Sequence, residues 1–142
     1  MARIRMTLAA LALALPAASH AQSQGNSLFA CQSASGKIVR FTKAGGLIRY
    51  SYGKPGMAPD LAFAVPAASA IYAGSGPQEA GSWWINRAIT LRFNGANYTG
   101  HWAFNRSDQS EEGGVTVLRG GKTLAETACK GEITMALPEP TE

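Results

Sequence analysis

Beyond residue 21 the chain carries one histidine, His101, so any Ser-His-Asp or Cys-His arrangement would have to be built around it. The residue falls on the polar parity of a strand pattern with no carboxylate identifiable beside it, which reads as a solvated strand histidine rather than a general base. Carboxylates are few: Asp60, Glu79, Asp108, Glu111, Glu112, Glu126, Glu132, Glu139 and Glu142. Hydrolysis by paired carboxylates needs two of them held several ångströms apart in a cleft, and only Asp60 and Glu126 fall in or at the edges of strand patterns. Asp108, Glu111 and Glu112 share one loop but lack the alternation of a calcium-binding loop. Two cysteines without a CxxC spacing, together with one histidine, do not make a zinc set. Gly74-Ser75-Gly76 and Gly113-Gly114 lack the lysine and the strand-to-helix context of a phosphate loop. No catalytic residue, metal or cofactor is nominated, and the chain is expected not to be an enzyme.

Two features remain that could recognise a ligand. Arg87 interrupts an otherwise apolar parity, and hairpin arithmetic sets it across from Trp102, where it either stacks on the indole or marks a sheet end or bulge. Trp83-Trp84 must place one ring on each side of a strand, which leaves Trp84 at least partly exposed. Trp84, Arg87 and Trp102 therefore form a candidate aromatic-basic site for a small ligand or glycan.

The elements that would position these residues are strands. Apolar and polar residues alternate repeatedly, and no helical period appears past residue 21. In residues 82–106, Trp83, Ile85, Ile89, Leu91 and Phe93 share one parity before Asn94-Gly95, a dipeptide suited to a type I′ turn. A two-residue turn then pairs Phe93 with Ala96, Leu91 with Tyr98, Ile89 with Gly100, Arg87 with Trp102 and Ile85 with Phe104. The other face receives Thr90 opposite Thr99 and Ala88 opposite His101. A hairpin over residues 37–52 turns at Gly45-Gly46 and sets Phe41 against Tyr50 and Val39 against Tyr52. Residues 60–65 form a strand stopped by Pro66. A hairpin turning at Gly120-Gly121 would set Glu126 opposite Val115 unless a bulge shifts the register. With an opening strand near Cys31 and a weaker one at residues 68–73, the expected fold is all-β, an antiparallel barrel or sandwich of about eight strands.

Residues 1–21 have the anatomy of an export signal: Arg3 and Arg5, a Leu/Ala run from Leu8 to Leu15, and a small-residue end at Ser19-His20-Ala21. Leu28-Phe29-Ala30-Cys31 superficially resembles a lipoprotein processing box, but it lies far behind the hydrophobic run and Phe29 is bulky for it. The apolar run is too short to span a bilayer, so the expectation is a periplasmic or secreted protein with no transmembrane segment. Residues 22–131 are expected to form one domain and residues 132–142 a flexible tail. In an oxidising compartment Cys31 and Cys129 are expected to pair, stapling the first strand to the last. Loss of Arg3 and Arg5 lowers the formal charge from +4 to +2. The remaining cations are scattered along the sequence, which argues against nucleic acid while permitting modest attraction to acidic surfaces.

Cys31 in a first strand, Lys37-Ile-Val-Arg-Phe41, Leu47-Ile-Arg-Tyr-Ser-Tyr-Gly53, the Asn94-Gly95 hairpin and the closing Ala128-Cys129 together resemble the small periplasmic lysozyme inhibitors of Gram-negative bacteria. That resemblance implies a stapled eight-stranded barrel and a Ser-Gly loop with a nearby tyrosine that enters the lysozyme cleft. The matching residues here are Tyr72, Ser75 and Gly76, with the tyrosine preceding the Ser-Gly pair rather than following it. The leading expectation is a non-enzymatic module that binds a protein partner, lysozyme in its most concrete version. The alternative is a small-ligand or glycan binder.

Overall fold

The structure is a computed structural model in which residues 26–75 and 83–139 are described. The export-signal reading of residues 1–21, the candidate contact Gly76 and most of the loop after it lie outside those residues. Nine strands make one antiparallel sheet: β1 (Asn26–Ser33), β2 (Ile38–Ala44), β3 (Leu47–Gly53), β4 (Leu61–Pro66), β5 (Ile71–Ser75), β6 (Trp84–Phe93), β7 (Ala96–Asn105), β8 (Glu111–Arg119) and β9 (Lys122–Met135). Their order is β4-β3-β2-β1-β9-β8-β7-β6-β5. Two meanders, β1–β4 and β5–β9, are thus joined where the first strand pairs with the last. The sheet curls into a half-barrel whose edges are β4 and β5, linked by a short 3-10 turn, Ala67–Ser69.

Hairpin geometry sets the registers. Asn94 and Gly95 both have positive φ, 49° and 75°, the requirement of a type I′ turn. From that turn every expected β6–β7 pair follows, Phe93 with Ala96 through Ile85 with Phe104. The Gly45-Gly46 turn likewise pairs Phe41 with Tyr50 and Val39 with Tyr52. In the last hairpin a register shift between Val117 and Leu118 sets Val115 opposite Thr127, which turns Glu126 to the outer face beside Thr116. The shift is the bulge that the apolar pattern requires.

The core lies on the inner face. Phe29, Phe41, Tyr50 and Phe63 are successive cross-strand neighbours on β1 to β4. Phe41 meets Phe29 and Tyr50 edge-on at 5.8 and 5.2 Å, and Tyr50 stacks on Phe63 at 4.9 Å. From the other meander Phe93 stacks on Phe63 at 4.2 Å and Tyr98 tilts against it at 4.8 Å. The curl is therefore held by rings that bridge the two halves. Ile48, Ile89 and Leu91 are fully buried around them.

Cys31 and Cys129 form a disulfide with Cα atoms 5.5 Å apart, between the neighbouring strands β1 and β9. β9 continues past Gly131 to Met135, pairing with β1 as far as Phe29. The Ala136 amide then donates to the Leu28 carbonyl at 2.9 Å, and Leu137 is buried in the core. The ordered domain thus extends beyond residue 131, where composition had placed its end, because Ile133 and Leu137 supply apolar surface to the inner face.

Candidate functional site

Strand parity divides each half of the sheet into a packed inner face and an open outer one. On β2 to β4, Val39, Phe41, Ile48, Tyr50, Phe63 and Val65 point inward. The alternate residues form the outer face, where Arg40 aligns with Ser51 and Ala62, and Thr42 aligns with Arg49 and Ala64. These six side chains line a cleft of about 560 Å³. Arg40 and Arg49 are exposed, on adjacent strands and diagonal to one another, above a floor of hydroxyls and methyl groups. A second cleft of about 480 Å³ shares Arg40 and Ser51 and continues to Lys54 and Met57 in the loop after β3. The result is a continuous outer track with cations at Arg49, Arg40 and Lys54.

Its charge is local. Residues 37–66 hold five cations, Lys37, Arg40, Lys43, Arg49 and Lys54, against the single acid Asp60, a balance of +4. Residues 83–139 hold six cations and six carboxylates, a balance of zero. Asp60 is engaged by Lys37, Nζ to Oδ2 2.6 Å, and this hydrogen bond and charge raise the lysine pKa. Lys37 also lies over the Tyr52 ring at 5.3 Å. Among the described residues the ion pairs are Lys37–Asp60 and Arg87–Glu139, so Arg40, Arg49 and Lys54 have no carboxylate partner. Reading the cations one at a time along the sequence missed this cluster. The signal that could have found it is the equal parity of Arg40 and Arg49 across the Gly45-Gly46 hairpin.

The sequence-nominated residues distribute otherwise. Tyr72 pairs with Ile89 and faces inward, where burial raises its pKa. Ser75, three residues on, faces outward and accepts a hydrogen bond from Asn86 Nδ2 at 2.9 Å. The two therefore stand on opposite faces of β5 and do not form one patch. Arg87 and Trp102 are register partners on the inner face, as expected, whereas Trp84 has the outer parity and is half-buried. Arg87 is not stacked on the indole but hydrogen-bonded to carbonyls, its Nη1 donating to Ser75 O at 3.1 Å and Asn86 O at 2.8 Å. Trp83, given to the inner parity by alternation, precedes the first β6 pair and is 63% exposed.

His101 is exposed on the outer face over Gly114, in a shallow cleft that Thr116 and Glu126 also line. No ion pair joins His101 to Glu126, and Asp60 lies on the other half of the sheet, so neither pair forms a catalytic couple among the described residues. Asp108 accepts from the hydroxyl and amide of Ser110, which lowers its pKa as a loop-forming carboxylate. No group of three or more metal-ligating side chains occurs among the described residues.

Compared with protein-family models, with curated proteins and with solved structures, the chain finds no match. The functional reading therefore rests on this geometry.

Proposed function

We propose that the chain is a non-enzymatic, exported binding module that engages an anionic partner through the outer face of β2, β3 and β4. The observation that carries this reading is the concentration of a +4 balance in residues 37–66, with Arg40, Arg49 and Lys54 lining two contiguous clefts and lacking carboxylate partners among the described residues. Guanidinium groups present planar forks of donors that match carboxylate, phosphate or sulfate oxygens, and they are less strongly hydrated than ammonium groups. Thr42 and Ser51 add neutral donors between them. Acidic protein surfaces and anionic glycans both satisfy this chemistry. Titration of the protein with polygalacturonate and with polyglutamate tests it, and affinity should fall several-fold between about 50 and about 200 mM salt as the charges are screened. Absence of binding to both at the lower salt contradicts the proposal.

The more specific reading, inhibition of lysozyme, has Ser75 at the outer side of edge strand β5 in its favour. Tyr72, its expected companion, lies on the other face. Undiminished lysozyme activity in the presence of excess protein removes that version and leaves the basic face untouched.

A further inference from the structure

The concave face holds a second arrangement, independent of the basic track. Gly74, Arg87 and Trp102 are successive register partners on β5, β6 and β7, with their inner-face positions aligned. A Cβ on Gly74 would come within 3.2 Å of Arg87 Cδ, so the arginine lies across the glycine instead of reaching into solvent. Its side chain is only 10% exposed. A guanidinium this enclosed calls for an anion. The carboxylate that approaches it is Glu139, whose Oε1 stands 3.6 Å from Nη2 and whose side chain is 89% exposed. That separation is too long for a hydrogen bond. Nη1 is occupied by the Ser75 and Asn86 carbonyls, and at the neighbouring position Trp102 Nε1 is buried with no acceptor.

Glu139 arrives on the segment that follows β9. The Ala136 amide bonds to Leu28, Leu137 is 7% exposed within the core, and Pro138 lines a cleft of about 540 Å³ with Tyr72, Lys43 and Leu28. The segment crosses from the β1–β9 pair toward β5 and β6, carrying an apolar branch and, two residues later, a carboxylate. We propose that Arg87, bordered by Trp102, forms a carboxylate-binding site on the concave face, that Glu139 is its intramolecular occupant, and that its external ligand is a small monocarboxylate. The charged Nη2 would gain a hydrogen-bonded acceptor, and the Trp102 indole N–H on the adjacent strand would report the change in its surroundings. The external acid competes with Glu139 alone, because Leu137 is anchored in the core independently.

The indole N–H resonance of Trp102, assigned by Trp102→Phe, reads this site directly. Titration of the full chain with 4-methylpentanoate is expected to shift that resonance saturably, while 4-methylpentanamide leaves it in place. Glu139→Gln should tighten binding about two- to five-fold, the range open to an exposed ion pair that competes for the same cation. Arg87→Met should abolish the response. If that variant fails to fold, Arg87→Lys, which keeps the charge without the planar fork, should weaken it. A resonance unmoved by the acid, or moved equally by the amide, overturns the site. Equal affinity in the native chain and Glu139→Gln overturns the role of the C-terminal segment.

Discussion

Gly100 sits where the two halves of the sheet meet, and its missing side chain is a packing requirement. A Cβ there would lie 3.0 and 3.2 Å from the Phe41 ring and 3.3 Å from Phe29, and both rings are fully buried. Gly100→Ala should therefore destabilise the fold by about 1–3 kcal/mol in urea denaturation. Gly46→Ala, which meets nothing within 4 Å and has no positive φ, should be near neutral. The sequence placed Gly100 on the apolar parity opposite Ile89, but glycine identity alone does not say which rings approach it. Tyr50 supplies a pH prediction at the same scale. Burial first, then the charges of Tyr98 and Tyr52, raise its pKa above the ordinary 10.0. The folded state thus holds the phenolic proton more tightly than the unfolded chain. This stabilisation is complete below about pH 10 and is lost as the pH rises through the folded value. Lys37, also raised, adds to the loss above its ordinary 10.5. The melting temperature should fall above pH 10, and Tyr50→Phe, which keeps the ring stacked on Phe63, should reduce that fall.

Among the elements, the hairpins were the most legible because turn chemistry and parity pointed to the same register. Asn94-Gly95 fixed the β6–β7 pairing, and the mismatch of Glu126 with Val115 announced the bulge now seen between Val117 and Leu118. β5 was harder to read. Residues 68–73 read as a weak strand and Gly74-Ser75-Gly76 as a turn, and only the family resemblance groups Tyr72 with Ser75. With Ile71–Ser75 a strand, their three-residue spacing puts them on opposite faces. The C-terminal end of β9 was missed because Pro138 and Pro140 signal disorder, whereas Ile133 and Leu137 are core residues. Joining β1 to β9 also gives the disulfide its mechanical role, since it closes a loop of 98 residues across the one pairing that unites the two meanders. Cys31→Ser combined with Cys129→Ser should cost on the order of 4–5 kcal/mol, measured by denaturant unfolding against the oxidised protein.

At the scale of the whole molecule, what folding adds is the position of charge. Sequence order scatters Arg40, Arg49 and Lys54 across fifteen residues, and no local window looks like a basic block. The β2–β3 hairpin and the loop after it bring them to one face, while the carboxylates of residues 83–139 stay with the other meander and balance its cations. Net charge of the chain understates this asymmetry, and a field set up by one face steers an anionic partner more strongly than the average charge does. Binding should therefore follow where the charge lies and not its sum. Two double variants of identical net charge, Arg40→Gln with Arg49→Gln and Arg92→Gln with Arg119→Gln, separate the two when their binding of polygalacturonate and polyglutamate is compared. Loss of at least about tenfold in affinity, the equivalent of roughly 1.4 kcal/mol, is expected for the first pair, with little change for the second. Equal losses in both would show that overall charge alone governs binding, and would contradict the assignment of the site to β2, β3 and β4.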